Sequence, residues 1–132
     1  MEKKILVVDD EEVIRNMLQE FLSKNGYVVR LAESAETALD ILRGESFMVM
    51  FLDLKLPGIS GMELCRKIRI DNDVGIIYAF TGYTDLFGLI DCRRAGFDDY
   101  FTKPVKLELI LQAAQDAFAK LERWNLDEYD LT

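Results

Sequence analysis

Four acids in a row, Asp9, Asp10, Glu11 and Glu12, follow directly on the apolar run Ile5-Leu6-Val7-Val8. A fifth acid, Asp53, closes a second apolar run, Thr81 with Gly82 closes a third, and Lys103 with Pro104 closes a fourth. Histidine is absent from all 132 residues. That removes His-based triads, HExxH zinc sites and any role as a phosphohistidine carrier, and leaves chemistry to Asp, Glu, Lys, Thr, Tyr or a hard metal. Two like charges 4 Å apart repel by about 1 kcal/mol in bulk water and about 4 kcal/mol at an effective dielectric of 20. Gathered carboxylates therefore need protons or a cation, and oxygen ligands without His or Cys suit Mg²⁺.

Each of these residues also has a plainer reading. Acids collect at helix N-termini, where the dipole favours them, and Glu11 and Glu12 are read that way. For Asp9 and Asp10 both readings stand until Asp53, at the matching end of another strand, favours the metal. Lys103 is either a neutralising ion pair or a point charge for a phosphoryl oxygen. Pro104 restricts it to extended geometry, and a cis bond fits such a turn. Thr81 is either a β-former or a hydroxyl at the same edge, with Gly82 leaving room for an incoming group. Tyr100 reads as an aromatic core residue when taken alone, and Phe101, on the opposite face, as core.

The elements that must position these residues follow from hydrophobic pattern. Apolar runs at 4–8, 27–31, 48–52, 76–80 and 100–102 read as strands, the first, third and fourth almost continuously apolar, as for parallel strands covered on both faces. Helix stripes lie between them: Val13, Met17, Leu18, Phe21 and Leu22, stopped by Asn25-Gly26; then Ala35, Ala38, Leu39 and Leu42, closed by Gly44. Ser60-Gly61-Met62-Glu63 has capping-box spacing and opens a third helix with Leu64, Cys65 and Ile68 inward. Thr84 is placed to cap a fourth that runs to Arg94 and stops at Gly96. Leu107, Ile110, Leu111, Ala114, Ala117, Phe118 and Leu121 mark the fifth. The order is (βα)₅, which the right-handed crossover rule turns into a doubly wound five-stranded parallel sheet of the flavodoxin-like kind. Sites in such sheets lie outside the carboxyl ends of the strands, where the singled-out residues fall.

The length is that of one domain, read as residues 1–122 with a short acidic tail or start of a linker at 123–132. No apolar run approaches the roughly 18 residues of a membrane span, and the N-terminus lacks a signal-peptide pattern, so the sequence reads as cytoplasmic. A net charge of −8 repels phosphate backbones and argues against direct nucleic-acid binding. Cys65 and Cys92 lie far apart and read as reduced, buried thiols.

Taken together, the motifs resemble the receiver domains of bacterial two-component response regulators. The resemblance covers residues 4–121 through Val7-Val8-Asp9-Asp10-Glu11, Phe51-Leu52-Asp53-Leu54-Lys55-Leu56-Pro57-Gly58, Gly61-Met62-Glu63-Leu64, Phe80-Thr81-Gly82 and Ala95-Gly96-Phe97-Asp98-Asp99-Tyr100-Phe101-Thr102-Lys103-Pro104. It implies that Asp53 is the phosphoacceptor and Mg²⁺ the cofactor. Asp10 then binds the ion directly, Asp9 mainly through water, and the backbone carbonyl of Lys55 is a further ligand. It also implies that Lys103 pairs with Asp53 and then holds the phosphoryl group, and that Thr81 and Tyr100 form a switch pair. Lys55 and Tyr83 fall at variable positions that tune dephosphorylation in the family. The implied partners are a sensor histidine kinase or histidine phosphotransfer protein upstream and an output domain or partner protein downstream. The chain is then a phosphoacceptor that catalyses its own phosphotransfer and dephosphorylation, and no enzyme in its own right. An aspartate-nucleophile phosphatase of the haloacid-dehalogenase type needs a second Asp two positions after the nucleophile, where this chain has Lys55. A flavodoxin-like phosphate cradle needs Ser, Thr and Gly where this chain has four acids.

Overall fold

The computed structural model describes residues 2–82 and 86–124. Strands and helices alternate as the pattern requires: β1 (Lys4–Val8), α1 (Glu12–Lys24), β2 (Val28–Ala32), α2 (Ala35–Gly44), β3 (Val49–Asp53), α3 (Gly61–Asp71), β4 (Ile76–Thr81), α4 (Leu86–Ala95), β5 (Asp99–Thr102) and α5 (Leu107–Arg123). The five strands form one parallel sheet in the order β2-β1-β3-β4-β5. Each expected strand is present, displaced by no more than one residue at either end. The position of Thr84 lies outside the described residues.

Side chains alternate across the strands, so the sheet carries a separate core on each face. Ile5 and Val7 of β1 join Phe51, Tyr78 and Phe80 beneath α1 and α5. Leu6 and Val8 join Met50, Leu52, Ile77 and Ala79 beneath α2, α3 and α4. Phe51 stacks on Phe80 with centroids 5.6 Å apart and lies 5.0 Å from Tyr78. Phe101 packs edge-on to Tyr78, so β5 turns this ring inward and Tyr100 outward. The helix faces follow the expected stripes with one correction. Val13 is three-quarters exposed, and Ile14 packs against the core in its place. The first turn of α1 thus presents Ile14 to the core, while Glu11 lines the cleft.

Local sequence explains the helix ends. Ser34 caps α2 by accepting from Thr37 N, and Ser60 caps α3 by accepting from Glu63 N at 3.2 Å. Half of the expected capping box forms: the Glu63 carboxylate pairs with Arg66 at 3.1 Å. Gly96 ends α4 with φ +112°, a conformation side chains rarely adopt. At this end of the sheet Arg69 binds the Gly96 carbonyl through Nε and Nη2 at 2.9 and 2.7 Å and the Gly75 carbonyl at 2.6 Å. Its Nη2 also meets Asp98 at 2.9 Å, and that carboxylate accepts from Ile77 N. One half-buried guanidinium thus ties α3, the start of β4 and the α4–β5 loop together.

Candidate functional site

The parallel sheet brings four strand ends to one edge. Asp9 follows β1, Asp53 ends β3, Thr81 ends β4 and Lys103 follows β5. Asp10, Glu11, Asp53, Lys55, Thr81 and Lys103 line one cleft there. Gly82 faces open space, so the cleft is accessible beside Thr81.

Asp53 is only 4% exposed. Its Oδ1 accepts from Lys55 N at 3.2 Å, and its Oδ2 lies 3.0 Å from Lys103 Nζ. The strand end is held rigidly from below: Leu54 N donates to the Phe80 carbonyl and Gly61 N to the Leu54 carbonyl. Gly61 is required here because a Cβ at that position would stand 2.0 Å from the Asp53 carbonyl oxygen.

Asp9 is fully buried. Its Oδ1 accepts from Glu11 N at 2.9 Å, and its carbonyl accepts from Arg15 Nη1 at 2.9 Å. Its Oδ2 receives no hydrogen bond among the described residues. Lys103 Nζ stands 3.3 Å away as its ion-pair partner. Burial pushes the Asp9 carboxyl above its ordinary range, and the nearby Asp53 charge adds to this against the opposing pull of the Glu11 amide and Lys103. Asp10, in contrast, is exposed at the mouth.

Asp9, Asp10 and Asp53 each offer an oxygen within 4.8 Å of the others. The cluster holds carboxylates alone, and one buried oxygen within it lacks a hydrogen-bonded donor. Such a set suits a hard divalent cation with several remaining waters.

Lys103 is the counter-charge. Its backbone N donates to the Thr81 carbonyl at 2.9 Å, and the Lys103–Pro104 bond is cis. Burial draws its pKa down, but the Asp53 hydrogen bond and the charges of Asp9 and Asp53 outweigh that and hold it well above the ordinary lysine value. The ammonium remains protonated throughout the physiological range.

Asp9, Asp10, Asp53, Lys55, Thr81 and Lys103 thus meet at one edge. Tyr100 does not line the cleft. It is 39% exposed on the outer face of β5, paired with Ala79 across the ladder. The residue that composition and spacing assigned to a solvated helix end is Glu11, whose Oε1 lies 3.2 Å from Lys103 Nζ. No sequence signal joins two positions 92 residues apart through two long side chains. Cys65 and Cys92 are free and buried, with both thiols pushed up by burial, and Tyr83 lies outside the described residues.

Comparison with known proteins bears on the family and the fold. Residues 5–115 match the model of the response regulator receiver domain. The response regulator MprA of Mycolicibacterium vanbaalenii is 37% identical over 111 residues, covering 84% of this chain and 48% of that protein. The chain thus spans about half the length of such regulators. The structure of a CheY-like response regulator receiver domain protein from Methanospirillum hungatei JF-1 superposes with a TM-score of 0.88 at 30% identity, covering 93% of this chain and 98% of that one. A BeF3-activated DrrB receiver domain superposes with a TM-score of 0.83 at 32% identity, over 90% and 99% of the respective chains. The matched span holds all five strands of the 2-1-3-4-5 parallel sheet, and the chain belongs to the response regulator receiver domain family of two-component signalling.

Proposed function

We propose that Asp53 is the phosphoryl acceptor of this receiver and that Asp9, Asp10 and Asp53, with the Lys55 carbonyl, hold Mg²⁺. The observation that carries the reading is a buried aspartate at the end of a central strand, paired with a lysine at 3.0 Å and facing two further carboxylates. A carboxylate oxygen of Asp53 attacks phosphorus, the P–N bond of a partner's phosphohistidine breaks, and an acyl phosphate forms as the imidazole leaves. When bound, the cation supplies positive charge opposite the transferring phosphoryl oxygens. Lys103 stays protonated and follows the charge from the Asp53 oxygen to a phosphoryl oxygen, so no proton need move at this residue. Gly61 and the Lys55 amide hold Asp53 in place, and burial of Asp9 and Asp53 excludes water from the inner side. Little covalent work falls to the protein in such a transfer.

The donor is a sensor histidine kinase or histidine phosphotransfer protein, since this chain has no histidine. Residues 1–122 form the receiver domain, and 123–132 are a short acidic tail or the start of a linker. Among the described residues no helix is long and apolar enough to cross a membrane, in keeping with a cytoplasmic site of action. The bound form reports outward through Thr81 and Tyr100. Moving an equilibrium from 1:99 to 99:1 takes about 5.5 kcal/mol, and one charge-assisted hydrogen bond gives roughly 1.5–3 kcal/mol. Thr81, Lys103 and the cation must therefore act together.

Acetyl phosphate with Mg²⁺ should add one phosphate to the protein, and Asp53→Asn should abolish it. Undiminished labelling of that variant at the parent rate would sink the assignment.

A further inference from the structure

Lys103 Nζ stands among three carboxylates rather than one. Asp53 Oδ2 lies at 3.0 Å, Glu11 Oε1 at 3.2 Å and Asp9 Oδ2 at 3.3 Å. Two of these carboxylates, Asp9 and Asp53, belong to the cluster that offers itself to a cation. Asp9 Oδ2 has no hydrogen-bonded donor to spare it, so ammonium and cation seek the same electrons. A cation that takes Asp9 Oδ2 therefore displaces the ammonium from it. Glu11 is more than half exposed at the outer rim, on the solvent side of both aspartates, and it is the third anion within the reach of the same ammonium. The Glu11 side chain makes no capping hydrogen bond to α1, so its carboxylate is not engaged in holding that helix end.

We propose that Glu11 is a positioning residue that acts through Lys103: it gives the ammonium an alternative seat, so that the lysine withdraws from Asp9 as a divalent cation enters and stays at the rim for an incoming phosphoryl oxygen. This rests on the cation reading given above. Glu11 is not a ligand in this scheme. It lowers the cost of displacing Lys103, and its effect exists only while Lys103 is present.

That dependence separates the device from a diffuse acidic patch. A patch attracts Mg²⁺ whether or not the lysine is there, whereas an alternative seat matters only to its occupant. The experiment is a double-mutant cycle on the full chain, with Mg²⁺ alone as the probe and binding read by calorimetry and by amide NMR. The four proteins are the parent, Glu11→Gln, Lys103→Met and the pair. Glu11→Gln keeps shape and removes charge. In the Lys103 background it should weaken Mg²⁺ binding about threefold to tenfold, and in the Lys103→Met background by less than about twofold. Equal weakening in both backgrounds would mean a direct or diffuse role, and no weakening in either would mean that the Glu11 contact is idle; each overturns the proposal. Labelling of the parent and Asp53→Asn by acetyl phosphate, run alongside, tests the acceptor assignment separately. Failure there leaves the Mg²⁺ cycle readable, and failure of the cycle leaves the acceptor assignment standing.

Discussion

Asp9 carries a cost that the other site residues do not. Its carboxylate is fully buried, with one oxygen lacking a hydrogen bond, and burial raises its pKa. A raised folded-state pKa gives stability that is complete below the ordinary value of 3.8 and lost as pH climbs through the folded value, where the fold must hold the buried charge. Asp9→Asn removes that loss. Without divalent cations the variant should be more stable than the parent at pH 7 by about 1–2 kcal/mol, the scale of one unsatisfied buried polar group. The difference should shrink as pH falls toward 4, and thermal melts across that range measure it. With Mg²⁺ present the order should reverse, since the substitution removes one of the three clustered carboxylates. Asp10→Ala should lose Mg²⁺ binding and Glu12→Ala should keep it, with Glu11→Gln between them. Most of these residues were legible in the sequence because strand ends in a parallel sheet converge by construction. The contact of Glu11 with Lys103 was not, because pattern fixes where a Cα lies on an element and leaves the reach of a long side chain unspecified.

Elements set how firmly Asp53 is held. The β3–α3 connection brings the first residue of α3 against the backbone of Asp53, and only a glycine fits. Gly61→Ala places a Cβ against a carbonyl at 2.0 Å, where backbone and not a flexible side chain must yield. Overpacking of this kind costs typically 1–3 kcal/mol or more, and the variant should also accept phosphate more slowly because Asp53 shifts with its loop. Denaturant unfolding and acetyl phosphate labelling measure the two effects. On the outer side, Thr81 ends β4 while Tyr100 stands exposed on the neighbouring β5. Thr81→Ala should still be labelled, because Asp53, Lys103 and the carboxylates remain. It should lose most of the beryllofluoride-induced amide shifts over residues 86–121. A full parent-like shift pattern would remove Thr81 from the coupling route. The sequence predicted every strand to within one residue at either end, as continuous β-branched and aromatic runs permit. It misplaced the inward residue of the first turn of α1, where Val13 and Ile14 are adjacent, both apolar, and equally acceptable to a 3.6-residue period. The orientation of Glu63 also escaped it, since a box partner and an i+3 arginine compete for one carboxylate.

At the scale of the molecule, an acidic protein with a net charge of −8 gathers Asp9, Asp10, Glu11 and Asp53 at one pole and sets Lys103 among them. A ligand that binds only the folded form at a hundred times its Kd adds about 2.7 kcal/mol. For a domain of this size that corresponds to a rise in Tm on the order of 10 °C. Saturating Mg²⁺ should therefore raise the melting temperature well beyond what NaCl of equal ionic strength achieves, and Asp10→Ala should abolish the difference. The opposite pole has a separate use. Lys3, just before β1, pairs with Glu122 near the end of α5 at 3.4 Å. Five residues of strand at about 3.3 Å each, roughly 16 Å, separate that ion pair from the acids after β1. Helix α5 thus leads to Trp124 at the pole opposite those acids, a full strand length away. Acceptance of phosphate at Asp53, as proposed, should therefore be insensitive to what is attached at that pole. A fluorescent protein fused after Thr132 should leave the rate of Asp53 labelling unchanged, while the same insert between Pro57 and Gly58, two steps from Lys55, should stop it.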